Sequence, residues 1–367
     1  MDRRSFIAAA AAALPLASAW SRTAFAQART FAPASSAWRT FEVTTRLEII
    51  ANGGPGVRAW IPVPAVDTDW QQSLASTWSG NFSEAALDTD GAYGAKLVRV
   101  AWTDGEPSPV IEVVSRIRSR NRSVDWSAKS AQAASAADFA RDLKPTALIP
   151  TDGIVRETSA KIVAGRTTDV DKTRAIYEWV VNNTYREPTV RGCGVGDIKG
   201  MLETGNMGGK CADLNALFVG LCRAAGIPAR DIYGVRVAKS AFGYKELGAG
   251  SPDITKAQHC RAEVWLAGYG WVSMDPADVA KVMRQETAEW IKDPRHEVAA
   301  PVYGALFGSW EGNWMGYNVA HDVALPGSTG PRIGFLMYPQ AELRGERVDS
   351  LDPDTFQYKI TAREIAG

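Results

Sequence analysis

From Cys211 the chain reads CADLNALFVGLCRAAG, with Leu214, Leu217, Phe218, Leu221, Cys222 and Ala225 at three- and four-residue spacing. One apolar stripe at that period predicts an amphipathic helix. Gly226 and the following Ile227-Pro228 end it, because glycine accepts the left-handed turn past a helix and proline cannot continue one. Gly208-Gly209 ahead of it permit a tight approach and leave space for a substrate against the backbone. Cys211 therefore sits in the first turn, where free N–H groups and the positive end of the helix dipole favour a thiolate. Asp213, in the same turn, is a candidate cap. The ordinary reading of a lone thiol on a helix is core packing. Cys222, in the middle of the stripe, fits that reading.

Downstream, one of only three histidines lies in a strand pattern. Cys260, Ala262, Val264 and Leu266 alternate with His259, Arg261, Glu263 and Trp265. After Gly268-Tyr269-Gly270, Val272 and Met274 alternate with Trp271, Ser273 and Asp275, so the two runs predict a hairpin. Matching the apolar sets makes the residue numbers of each cross-strand pair sum to an even value. An odd loop satisfies this, and the five residues Leu266 to Gly270 supply one. His259 and Asp275 then share a face, close enough for the carboxylate to hold the imidazole. The alternative for His259 is a polar residue on a solvated face.

A cysteine, a histidine and an acid in this order provide a nucleophile, a general base and an orienting group. The segments GGKCADLNALFVGLCRAAGIPAR, QHCRAEVWL and GYGWVSMDPAD resemble the three core motifs of the transglutaminase-like superfamily, in its bacterial exported branch. The helical run Asp171 to Val180 and the glycine-rich Arg191-Gly192-Cys193-Gly194-Val195-Gly196-Asp197 are similar to the family's too. The likeness is strong over about residues 150 to 280. It is weaker through Trp60-Ile61-Pro62-Val63-Pro64 and Tyr317-Asn318-Val319-Ala320-His321-Asp322. The resemblance implies an α+β, papain-like core, a cysteine helix packed on an antiparallel sheet. It also implies catalytic roles for Cys211, His259 and Asp275.

The expected chemistry is acyl transfer at a carboxamide or peptide carbonyl, on a protein or peptide substrate that includes glutamine side chains as candidates. The Cys211 N–H is one oxyanion donor, and Asn206 is a candidate for the second, or a turn residue. Gly209 is a candidate for substrate approach. Trp265 and Trp271, flanking the hairpin turn, are candidates for a groove wall or for packing. A binding protein that retained the fold without turnover, and a specific peptidoglycan amidase, are the competing functions.

At the N-terminus, Arg3-Arg4-Ser5-Phe6-Ile7 is a twin-arginine pair with an alanine-rich continuation, and Ala24-Phe25-Ala26 offers a cleavage site. Residues 1–26 are expected to be an export signal, placing the protein in the periplasm. Removing them takes away three arginines and one aspartate, leaving 38 basic and 40 acidic residues, about −2. That balance, without a charge run, excludes a nucleic-acid or anionic-surface reading. No later run is long enough to span a bilayer.

Phe41 to Ile49, Lys96 to Trp102 and Val110 to Arg116 alternate at period two, predicting a β-sandwich over residues 27–125. The catalytic core is expected over 126–290, with helices at Asp152 to Val163 and Asp169 to Asn182 and a Ser/Ala linker at Ser127 to Ala137. Residues 291–367 are expected to pack back on the core or on the sandwich. Asp88-Thr89-Asp90-Gly91 lacks the closing glutamate of a calcium loop and reads as a turn. A Cys193–Cys260 disulfide is left open, although Cys260 reads as core-facing. Apart from the adjacent His259-Cys260, whose side chains diverge on a strand, no histidine or cysteine pair has zinc spacing, and no cofactor is expected.

Overall fold

The structure is a computed structural model that describes residues 29–51, 54–129 and 139–366. The twin-arginine segment and residues 130–137 of the Ser/Ala stretch lie outside the described residues.

The chain begins with strands β1 (Arg39–Ile49), β2 (Arg58–Val63), β3 (Gln71–Gly80), β4 (Glu84–Thr89), β5 (Lys96–Ala101) and β6 (Val110–Ser119). Helices α1 (Gly153–Ile162), α2 (Asp169–Asn183) and α3 (Cys211–Ala224) follow. Next come strands β7 (Ala229–Arg236), β8 (Gln258–Leu266) and β9 (Gly270–Met274), then helix α4 (Pro276–Gln285). Strands β10 (Trp314–Asn318), β11 (Gln340–Leu343) and β12 (Phe356–Ile365) complete it.

Two sheets form the sandwich. One has the order β12-β1-β6-β3, and the other runs from Glu346–Arg347 through β11-β2-β5-β4. Leu47 and Ile111 of the first sheet share an apolar cluster with Ile61 and Val98 of the second. The sandwich thus draws strands from both ends of the chain. β3 escaped the alternation pattern because its pairing to β6 shifts between Ser73 and Ala75, which turns Leu74 outward. Asp90 accepts the Tyr93 N–H at 2.7 Å, closing an ordinary turn.

The third sheet, β9-β8-β7-β10, carries the motifs. Phe41 and Ile117 of the sandwich cluster with Val235 of β7 and Met315 of β10, so the layers are continuous. Helix α3 packs with this sheet. Leu214, Leu217 and Leu221 belong to the same cluster as Cys260, Ala262, Val264 and Leu266. The single-stripe expectation for α3 is corrected: every residue from Cys211 to Arg223 is buried. Helices and sheet surround it, so even Asn215 and Arg223 find partners inside.

The hairpin register follows the parity argument. Ala262 pairs with Met274, Trp265 with Trp271 and Leu266 with Gly270, leaving the loop at three residues rather than five. The alternative of a solvated face for His259 does not hold, since His259, Arg261 and Glu263 are all buried. Arg261 stacks over Trp310 and Trp314 at 5.3 and 4.9 Å. Glu263 is held by Arg122 and by Arg230, the latter at 2.6 Å. Alternation reports which residues share a face; it cannot report that charged partners arrive from elsewhere to cover it.

Candidate active site

Cys211 opens α3, and its N–H has no intrahelical acceptor. Asp213 fixes the start of the helix: its Oδ2 accepts the Lys210 N–H at 2.9 Å, and its Oδ1 accepts the Val195 and Gly196 N–H groups at 2.9 and 2.8 Å. The cap is therefore also a clamp on the glycine-rich loop. Gly194 has φ +93°, and a Cβ there would lie 1.8 Å from the Asp213 carboxylate, so only glycine fits. The space ahead of the helix serves the same packing. A Cβ on Gly209 would meet Asp213 at 2.6 Å, so its lack of a side chain serves the packing of the cap.

His259 lies near the start of β8, opposite Gly234 on β7. The Trp314 indole N–H donates to the His259 carbonyl at 3.0 Å, and a side chain on Gly234 would collide with that ring. His259 Nε2 is 2.7 Å from Asp275 Oδ2. Asp275 also caps α4, its Oδ1 accepting the Asp278 N–H at 3.1 Å, with Pro276 in the first turn. One carboxylate thus starts a helix and holds the imidazole.

The sequence reading missed two further residues. Asn215, one turn after Cys211, donates to Asp275 Oδ1 at 3.2 Å and to the Cys260 carbonyl at 2.8 Å. Its Oδ1 accepts the Ala277 N–H at 3.3 Å, tying α3 to β8 and α4. The four-residue spacing from Cys211 was a legible signal. Asp278 Oδ2 is 3.3 Å from His259 Nε2, and its Oδ1 receives Arg236 at 2.5 Å. Nothing in the sequence marks Arg236 as its partner, since the two are 42 residues apart.

Electrostatics follow from these contacts. Burial and the Arg236 charge oppose protonation of His259, but Asp278 and Asp275 together outweigh them and take the ring up to about 9. Burial alone would raise the Cys211 thiol. Contacts with Cys193, Cys260 and His259 override it and hold Cys211 well below the ordinary thiol range. Cys193 is pushed up by Cys211 and by burial. Cys222, buried without such neighbours, is also pushed up. All four cysteines are free. The two shifts have opposite signs, the imidazole raised and the thiol lowered, and both favour the charged pair.

His259, Asp275 and Asp278 offer atoms within 4.8 Å of one another, which is the spacing of a metal cluster. A metal there would displace the Asp275–imidazole bond and compete with Arg236 for Asp278. The donor set fits an ion-pair network better.

Cys211 and His259 line a cavity of about 230 Å³ together with Arg186, Arg236, Lys256 and Lys281. The remaining candidates lie elsewhere. Asn206 is exposed, and its side chain accepts the Gly208 N–H at 3.3 Å, the geometry of a turn residue. Trp265 and Trp271 pack edge to face at 5.9 Å, with Phe139 4.7 Å from Trp265. Six residues of extended chain, roughly 20 Å, separate Trp265 from His259. The Trp265 backbone N–H donates to the Pro228 carbonyl at 2.8 Å, beside the segment that follows the C-terminal end of α3, and both tryptophan rings pack with Phe139.

A family model of the transglutaminase-like superfamily matches residues 156–276. An "Uncharacterized protein" of Haemophilus influenzae is 34% identical over 334 residues, 86% of this chain and 89% of that one. The structure of "a Putative Cysteine Protease" from Cytophaga hutchinsonii is similar in fold, with TM-score 0.51 and 15% identity, covering 90% of this chain and 99% of that one. The periplasmic domain of TgpA from Pseudomonas aeruginosa gives TM-score 0.36 and 15% identity, covering 76% and 98%. The chain belongs to the transglutaminase-like superfamily.

Proposed function

We propose that the protein is a Cys-His-Asp thiol enzyme that acts on amide or peptide carbonyls through a thioester acyl-enzyme. The observation that carries this is a thiol at a helix N-terminus beside an imidazole that Asp275 holds at 2.7 Å. Cys211 Sγ attacks the carbonyl carbon, and the oxyanion develops toward the Cys211 N–H. The His259 imidazolium gives its proton to the leaving nitrogen as the C–N bond breaks. Water or an amine then attacks the thioester, neutral His259 takes its proton, and the thiolate leaves. Asp275 keeps the ring in one tautomer and stabilises its charge throughout.

The twin-arginine pair and the small-residue cleavage site support export to the periplasm, with protein or peptide substrates of the envelope. Among the described residues no helix is long and apolar enough to cross a membrane.

Iodoacetamide at limiting concentration near neutral pH is expected to label Cys211 first, and Cys211→Ala to remove both the fast label and all amide turnover. Fast labelling that persists in Cys211→Ala assigns the nucleophile elsewhere. A labelled thiol without turnover on peptide amides favours a silent binding protein. Mass spectrometry of products separates the reactions: a gain of about one mass unit at glutamine means deamidation, and new chain ends mean peptide hydrolysis.

A further inference from the structure

A second cavity, of about 660 Å³, adjoins the first. It is lined by Cys193 but not by His259, and its walls include Tyr338, Leu351, Phe356 and Tyr358. Arg186, Lys256 and Gln258 line both cavities, so the two form one cleft with Cys211 near their junction. Lys210, directly before the nucleophile, faces the larger one.

The charges in this cleft are unbalanced. Arg236 is matched by Asp278 and Lys281 by Glu246, while Asp253 is itself taken up by Lys359 from outside the cleft. Among the described residues, Arg186, Lys210 and Lys256 form no ion pair. The Arg186 Nε donates to the Gln285 amide oxygen at 3.1 Å, which orients the guanidinium without neutralising it. Among the described residues Asp253 is the sole carboxylate lining either cavity, and it belongs to the smaller one. Arg186 and Lys210 both line the larger cavity, so the two cations converge there, and burial with the Arg186 charge lowers the Lys210 amine against the opposing pull of Cys193, Cys211 and Asp213. Converging cations at the edge of an apolar wall are relieved by an anion that brings apolar surface with it.

We infer that Arg186, with Lys210 and Lys256, forms a subsite for a carboxylate on the acyl portion of the substrate, so that the enzyme prefers acidic peptides. The acyl side is assigned because the larger cavity excludes His259, the group that must meet the departing amine. Arg186 is the anchor, since its planar fork takes a carboxylate with two parallel bonds and its Nε is already held. This rests on Cys211 being the nucleophile.

Iodoacetate and iodoacetamide are near-isosteric probes of the same thiol, one anionic and one neutral. The ratio of their alkylation rates at Cys211, measured on the full protein with peptide mapping, reads the subsite. That ratio is expected to fall about five- to tenfold in Arg186→Gln, as for a charge several Å from the reacting anion, and to be recovered only in part in Arg186→Lys, which returns the charge without the fork. Acetylated peptide amides differing only by Glu or Gln on the acyl side should show the same loss of preference in kcat/KM. A ratio unchanged in Arg186→Gln, with Cys211 still labelled fastest, overturns the subsite and leaves the nucleophile standing. If neither reagent selects Cys211, the thiol chemistry itself fails and the subsite with it.

Discussion

The third sheet contributes one member to each of two buried histidine–aspartate pairs, His259 to one and Asp231 to the other, and the pairs behave oppositely. His259 touches two carboxylates, at 2.7 and 3.3 Å, and its ring rises to about 9. His321 is buried to the same degree, but its Nε2 is 3.9 Å from Asp231 and has no hydrogen-bond partner. Its Nδ1 meets only the Tyr233 hydroxyl, at 3.3 Å. Burial and the Arg223 charge take this ring down to about 3. Asp231, likewise without a partner, is raised by burial to about 7. Burial alone makes both groups of a pair neutral; direct contact with more than one carboxylate makes the ring a cation. Only the second kind can activate a thiol and protonate a leaving group, and His259 lines a cavity together with Cys211.

The largest effect is expected from breaking the charged pair. Asp275→Asn should lower kcat roughly 10²- to 10⁴-fold while iodoacetamide still finds Cys211. It should also move the alkaline limb of kcat/KM, set in the wild type by His259 near pH 9, to lower pH. An unshifted limb would mean that another group limits at high pH. The folded-state rise also links to stability. The contribution of the protonated ring is complete below its unfolded value near 6.5 and is lost as pH climbs through about 9.

Next in size is Arg236→Met, which leaves Asp278 buried without its cation and should destabilise the fold by about 3–5 kcal/mol in a urea titration. Asp278→Asn in the same background should recover part of that loss, since the uncompensated charge is then gone.

The neutral pair gives a smaller, pH-dependent signal. Alone, His321 destabilises the fold as pH drops from about 6.5 toward 3, because only the unfolded chain takes up its proton. Asp231 does the reverse, holding a proton in the fold that it loses as pH rises through about 7. In the wild type the two nearly cancel between about pH 4 and 6.5. Asp231→Asn should expose a stability that falls with acid, and His321→Gln one that falls with base, each by up to about 1.4 kcal/mol per pH unit. Two flat profiles would show that the groups titrate as an ion pair after all. Last, Asn206→Ala should change kcat/KM less than about twofold, as for an exposed turn residue. A larger loss would return it to the oxyanion site.

Much of the site was legible because it lies in local patterns. The helical period placed Cys211 at a first turn. The parity of the β8–β9 register brought Asp275 to the face of His259 before any coordinates. What escaped came from long-range partners. Asp278 reads as an ordinary first-turn acid until Arg236 arrives from β7. The polar face of β8 reads as solvated until Arg122, Arg230 and the Trp310–Trp314 pair cover it. Trp265 and Trp271 stand out because they flank the hairpin turn, yet both rings pack against Phe139.

From the sequence alone, then, come the order of nucleophile, base and acid, the helix that presents the thiol, and the hairpin that pairs the other two. All of these are set by periodicities of a few residues, which side-chain geometry imposes on any chain. Tertiary structure alone decided which groups are charged. That depends on how deeply each is buried and on the sign of neighbours dozens of residues away, quantities that no local pattern contains.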